Sequence, residues 1–182
     1  MAIYDFSLVS MYALSGVDSA MCQRANIMSA RGYEVALIFP TPPEPRDLTL
    51  YKGLGISYDK MLGVHMSFTD VDDFTPKVST ESLFFELENS LKCTEKQVLE
   101  NHILVKANHM SAALIFDDTK SYVHAVEYYK NSDLIQKDYY ADVKYMSVFY
   151  GREEEQGNSR QVVKRRIFYN RDHSIAFIQN YY

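Results

Sequence analysis

The chain has 182 residues, 47% hydrophobic and 24% charged, with a formal net charge of −5 and a pI near 5.5. That length allows one good core or two small units sharing an interface, and the acidic balance excludes a general nucleic-acid binder, which needs a basic footprint. Two cysteines, Cys22 and Cys93, are too few for a disulfide framework and point to a reducing cytoplasm.

Residues 3–11 read as a buried or half-buried strand. The N-terminus lacks the basic and apolar regions of a signal peptide, and no apolar run approaches the roughly 20 residues that span a bilayer. A short loop, Tyr12 to Gly16, precedes a helix expected over 17–30. Asp18 suits its positive end, Ala20, Cys22, Ala25, Ile27 and Met28 are candidates for its inner face, and Gly32 is a plausible left-handed stop. Glu34–Phe39 is then a second, strongly apolar strand. Strand, helix and strand make a βαβ unit, so the two strands should be parallel.

Pro40, Pro42, Pro43 and Pro45 end that strand and mark the clearest expected boundary. From Arg46 to Phe68 the spacing of Leu48, Tyr51, Leu54, Tyr58, Met61, Leu62 and His65 is helical, in two short helices. An acidic loop follows over 69–76. Ser79 to Ser82 carry N-cap signals for a helix through about Ser90.

The rest of the chain is β. Residues 102–106 and 112–116 suit one hairpin. Runs at 123–130, 134–139, 143–150, 162–169 and 175–178 alternate β-branched and aromatic residues between Asn/Asp/Gly turns, the pattern of antiparallel hairpins. Fifteen tyrosines, ten phenylalanines and no tryptophan agree with a sheet-rich fold. Glu153 to Ser159 reads as a mobile hairpin loop. The expected class is α+β, with a βαβ, partly Rossmann-like start at 1–45, a helical connection at 46–95 and an extended antiparallel meander at 96–182.

Chemistry is sparse. Ser15, Gly16 and Val17 follow the first strand and open the first helix, where backbone N–H groups can hold a phosphate. The full glycine fingerprint is missing, so on the motif alone a ligand-free tight turn is favoured. The five histidines lack metal-ligand spacing, the cysteines suit small buried hydrophobes, and no nucleophile–base order is visible. No catalytic residue, metal or cofactor is expected. Lys164-Arg165-Arg166 should alternate between faces of a strand, as a solvated face or as a contact to an acidic or phosphate-bearing partner. A meander with a polar second face suits binding or docking better than reaction.

Two stretches together resemble a family. Leu14-Ser15-Gly16-Val17-Asp18-Ser19-Ala20 with Gln23-Arg24-Ala25-Asn26-Ile27-Met28 is similar to the first loop and helix of bacterial GT-B glycosyltransferases of the accessory-Sec glycosyltransferase A and poly(glycerol-phosphate) type. Val126 to Tyr129, Leu134 to Tyr140 and Lys164 to Tyr169 resemble the extended β-sheet domain inserted in those enzymes. The resemblance runs, with gaps, over most of the chain. It implies metal-independent retaining transfer from a UDP-sugar donor in the full-length enzyme. Ser15, Gly16 and Val17 would face the donor diphosphate, and the meander would bind a polypeptide or polymer acceptor or a homologous subunit. Tyr128, Tyr129, Lys137, Tyr139, Tyr145 and Arg165 are the candidate surface for that contact. The family's donor-binding domain, with its basic pair and E-x7-E motif, lies beyond this sequence. The isolated chain is therefore expected to be inactive, cytoplasmic or peripheral at the inner face of the membrane, and to self-associate through the open edge of a two-stranded βαβ start. Two other readings stay open: a stand-alone protein- or glycan-binding adaptor using exposed aromatic residues, and a small nucleotide-binding α/β protein.

Overall fold

A computed structural model describes residues 2–6, 16–155 and 158–182, with backbone only at 2–6 and Val17. The class is α+β, and the chain divides into two compact units, Met1–Thr75 and Pro76–Tyr182. The division falls between Thr75 and Pro76 rather than at the proline run, so the segment expected as a helical connection is shared between the units. Pro45 instead opens a helix, where its missing N–H and fixed φ fit the first helical position.

The first unit begins with β1 (Ala2–Phe6), α1 (Gly16–Ala30) and β2 (Glu34–Phe39). β1 and β2 are parallel, with Ala2 opposite Glu34 and Phe6 opposite Ile38. Residues 7–11 of the expected first strand lie outside the described residues. Gly32 ends α1 at φ +83°, the left-handed stop its position required. Along α1 the buried stripe is Asp18, Cys22 and Ala25, while Ala20 and Ile27 are exposed. Each of these two stands two residues from a buried one, about 200° around a helix of 3.6 residues per turn.

α2 (Pro45–Gly53) follows, its start secured by the Glu44 N–H donating to Asp47 Oδ2 at 3.2 Å. The second expected helix is absent. In its place a 3-10 turn (Tyr58–Lys60) leads into β3 (Met61–Gly63), which joins the sheet parallel to β2 with Leu37 opposite Met61, and a 3-10 helix (Val64–Phe68) follows. Among the described residues the parallel sheet thus has three strands, β1-β2-β3, and not two. Met61 is fully buried, so its apolar character reports sheet pairing here and not a helical face.

The second unit is an antiparallel meander of eight strands in sequence order: β4 (Glu95–Val98), β5 (His102–Lys106), β6 (Met110–Phe116), β7 (Val123–Lys130), β8 (Asp133–Tyr140), β9 (Lys144–Glu155), β10 (Asn158–Tyr169) and β11 (Ile175–Asn180). α3 (Thr80–Leu91) starts at Ser79, whose hydroxyl accepts the Ser82 N–H. Leu83 and Leu87 of α3 pack on Val105, Ala112, Leu114, Val123, Val126 and Tyr140, so the helix covers one face of the sheet over β5–β8.

β4 has no apolar alternation, and no strand was expected there. Of the run expected as a loop at 153–159, Glu153 to Glu155 and Asn158 to Ser159 are strand: Glu155, Glu154 and Glu153 pair with Asn158, Ser159 and Arg160, and Gln156 and Gly157 lie outside the described residues. Arg160 and Lys164 neutralise Glu153, the latter at 2.6 Å, which lets the acidic strand extend. Each ladder from β6–β7 to β10–β11 carries a register shift. The extra residues include His124, Tyr145 and Lys164. Bulges of this kind twist a sheet and re-aim side chains, and His124 and Tyr145 are both buried.

Candidate functional site

Two regions carry the candidate residues. In the first unit, Gly16 is the first residue of α1, Val17 lies within its first turn, and Ser15 falls outside the described residues. Among the described residues, a Cβ built on Gly16 meets nothing within 4 Å. One turn on, Asp18 is 4% exposed and accepts a hydrogen bond at 2.9 Å from the hydroxyl of Tyr51, itself 3% exposed. The Tyr51 ring stands edge-on to Phe39 at 5.3 Å, and Phe39 edge-on to Phe74 at 6.2 Å. The start of α1 is thereby tied through α2 to the last residue of β2.

In the second unit, strand alternation sorts the candidates onto two faces. Tyr128 lies opposite Gln136 across β7–β8, and Asp138 opposite Ser147 across β8–β9. These four share the face that α3 partly covers. Asp138 is buried. Its Oδ1 accepts from the Ser147 hydroxyl at 2.6 Å and from Gln136 Nε2 at 2.8 Å, and its Oδ2 lies 3.6 Å from Lys144 Nζ. Tyr169 OH donates to Ser147 Oγ at 3.2 Å. Burial pushes the Tyr128 and Tyr140 hydroxyls well above the ordinary tyrosine range, and the nearby Asp138 charge adds to the shift.

On the other face Glu127 stands opposite Lys137, with Nζ 2.9 Å from Oε1. Tyr129 OH donates to Glu127 Oε2. Burial first, and then this hydrogen bond, raises the Tyr129 hydroxyl above the usual range. Lys137, Tyr139 and Tyr145 are all buried, so none offers a free side-chain surface; Tyr128 and Tyr129 are half-buried, and Arg165 is exposed.

The basic triplet does not alternate simply, because Lys164 is the bulge residue between Val163 and Arg165. Each member has a near partner: Lys164 with Glu153, Arg165 Nε with Asn180 Oδ1 at 3.1 Å, and Arg166 with Tyr181 OH. The Asp138–Ser147 and Asp18–Tyr51 pairs were not legible in advance. Asp138 sits in a strand of ordinary alternation, and Tyr51 reads as one more apolar helix position. Among the described residues no group of three or more His, Cys, Asp or Glu side chains is placed to hold a metal ion. No helix among them is long and apolar enough to cross a membrane.

Residues 92–181 match the family model described as the GtfA extended beta-sheet domain. The UDP-N-acetylglucosamine--peptide N-acetylglucosaminyltransferase GtfA subunit of Streptococcus parasanguinis is 29% identical over 181 residues, covering 97% of this chain and 35% of that protein. The chain thus spans about a third of the length of the curated relatives it matches. Among solved structures, the GtfA/B complex aligns with TM-score 0.76 at 19% identity, over 100% of this chain and 36% of that one. The pneumococcal O-GlcNAc transferase GtfA in complex with UDP and GlcNAc aligns with TM-score 0.75 at 20% identity, again over the whole chain and 36% of its own. At those identities the structures speak for the fold. Residues 92–181, which contain β4 to β11, thus match the GtfA extended beta-sheet domain, and the chain as a whole is similar to about a third of the GtfA subunits it aligns with.

Proposed function

We propose that this chain is the N-terminal acceptor- or partner-binding part of a UDP-sugar-dependent retaining glycosyltransferase, acting in protein or teichoic-acid-type glycosylation and not catalytic by itself. One observation carries the reading: the alignment to GtfA subunits runs over 97% of this chain but only 35% of theirs. The three parallel strands with α1 between β1 and β2 serve as the beginning of a Rossmann-like domain. Ser15, Gly16 and Val17 then face the donor diphosphate at the start of α1, the place where α/β folds bind phosphates. The sheet engages a polypeptide or polymer acceptor, or a homologous glycosyltransferase subunit, through its exposed and half-buried groups, among them Tyr128, Tyr129 and Arg165. Lys137, Tyr139 and Tyr145 are buried and contribute to the sheet's interior rather than to a free surface. The site of action is the cytoplasm, at or near the inner face of the membrane.

The test is the coding sequence beyond Tyr182. The reading expects the frame to continue into a donor-binding domain with an E-x7-E motif. It also expects transfer from UDP-N-acetylglucosamine by the extended protein and none by this chain. A stop codon directly after Tyr182 would favour a second reading, a free-standing adaptor. That alternative draws on the separate hydrophobic cluster beneath α3, which gives the sheet unit a core of its own.

A further inference from the structure

We infer that Tyr51 is a positioning residue for the start of α1: its hydroxyl, through Asp18, sets the direction in which Gly16 and the first helical turn face the donor. The inference rests on the donor-loop reading proposed above and names a residue that reading does not include.

The argument begins with what the hydroxyl does. Tyr51 is 3% exposed and its ring is packed edge-on to Phe39, so a phenylalanine would fill the same space. What tyrosine adds is one O–H group, and that group is aimed at Asp18 Oδ1, 2.9 Å away and 33 positions distant in sequence. The ring is held independently, because Phe39 is fully buried, ends β2 and also packs against Phe74. The hydroxyl is therefore a fixed point on the rim where β2 ends. α1 begins after the C-terminal end of β1, which runs parallel to β2, so both ends lie on one rim of the sheet. Ligands of open α/β sheets bind beyond that rim.

Asp18 contributes geometry and not charge attraction. A carboxylate in the first turn already takes up the positive end of the helix dipole, and it repels a phosphate placed nearby. Burying it costs free energy that hydrogen bonds must offset. A buried acid kept in the first turn of a diphosphate-facing helix makes sense when its use is to receive the Tyr51 hydroxyl and lock the turn.

The test is amide hydrogen exchange with and without UDP on the extended protein, comparing wild type with Tyr51→Phe and Asp18→Asn. The asparagine keeps an acceptor oxygen for Tyr51 while removing the charge. In Tyr51→Phe, exchange at residues 16–20 should rise about 10-fold, the size set by losing a hydrogen bond to a charged group. Exchange in β4–β11 should not change. Asp18→Asn should stay near wild type, and UDP affinity should fall in Tyr51→Phe but not in Asp18→Asn. Unchanged exchange at 16–20 in Tyr51→Phe overturns the positioning role, even where UDP protects these amides in wild type. If Asp18→Asn weakens UDP binding as much as Tyr51→Phe does, the role is electrostatic and the inference also fails. If the variants differ in exchange but UDP protects nothing at 16–20 in wild type, the donor-loop reading fails. The positioning role falls with it, and a purely structural hydrogen bond remains.

Discussion

Lys137 and Glu127 face each other directly across the β7–β8 ladder, Nζ 2.9 Å from Oε1, with side chains only 8% and 18% exposed. The pair sits beside the register shift between Tyr128 and Tyr129. Removing one partner strands the other. Lys137→Met should therefore cost about 3 kcal/mol, the lower end of the range for broken buried pairs, since Glu127 keeps the Tyr129 hydroxyl. Lys137→Met with Glu127→Leu should regain most of that loss. Urea unfolding of both single variants and the double decides it, and a double-variant loss equal to the sum of the single losses would show that the two residues are not coupled.

Ser147 is completely buried and donates to Asp138 Oδ1 at 2.6 Å. Ser147→Ala creates little cavity but takes a hydrogen bond from a buried carboxylate, so a loss of about 1.5–3 kcal/mol is expected. Asp138→Asn together with Ser147→Ala should lose less than the sum, because a neutral amide is cheaper to leave underpaired. Additive losses in denaturant midpoints would place the two residues in separate environments.

β5 to β8 and β11, with most of β9 and β10, were legible because alternation and turn residues report locally, and the same holds for α1, β2 and α3. What escaped depended on partners distant in sequence. β3 is three residues long, and Met61, Leu62 and His65 fit a helical spacing as well as a strand; only β2 alongside decides it. Glu153 to Glu155 look like a solvated loop until Arg160 and Lys164 come opposite to neutralise them. Of the candidate surface, Tyr139 and Tyr145 are ordinary strand aromatics in sequence. Tyr145 is the extra residue of a bulge and is 2% exposed, and a bulge leaves no signature in composition.

Burial raises the tyrosine hydroxyls of Tyr128, Tyr129 and Tyr140 above their ordinary value. For a group whose folded pKa is raised, the stability it contributes is fully present below the unfolded pKa, about 10 for tyrosine, and is lost as pH rises toward the folded value. Stability should therefore be insensitive to these groups from pH 7 to 9 and should fall steeply above about pH 10. Tyrosinate absorbance should rise in two steps, the second coinciding with unfolding followed by circular dichroism. Tyr128→Phe should shrink the second step. One smooth titration completed before unfolding would contradict the burial argument.

Among the described residues nothing lies within 4 Å of a Cβ built on Gly16, which begins a helix, where alanine is favoured over glycine by up to about 1 kcal/mol. Gly16→Ala should fold at least as well as wild type. Under the donor-loop reading the added methyl occupies the side from which a diphosphate approaches the backbone, so the extended enzyme should lose at least about 10-fold in kcat/KM, equivalent to 1.4 kcal/mol. Unaltered transfer by the alanine variant would remove Gly16 from the donor side.

The two edges of the eight-stranded sheet, among the described residues, differ in a way that bears on self-association. β4 is fully exposed and charged, with Glu95 paired to Lys106 at 3.2 Å, the chemistry that discourages edge pairing. β11 reads Ile-Ala-Phe-Ile-Gln-Asn without an ionisable residue, and Ile175 and Ile178 are 55% and 46% exposed. If copies of this chain associate through the sheet, β11 is the edge that pairs without burying charge. Two identical β11 strands can meet antiparallel about a two-fold axis. Ile178→Lys places a charge in each strand of such a pair and should shift the sedimentation profile towards monomer, whereas Lys96→Ile on β4 should leave the wild-type distribution unchanged apart from non-specific aggregation. A wild-type chain that sediments as a single monomeric species at high concentration would count against self-association and leave β11 to a different strand.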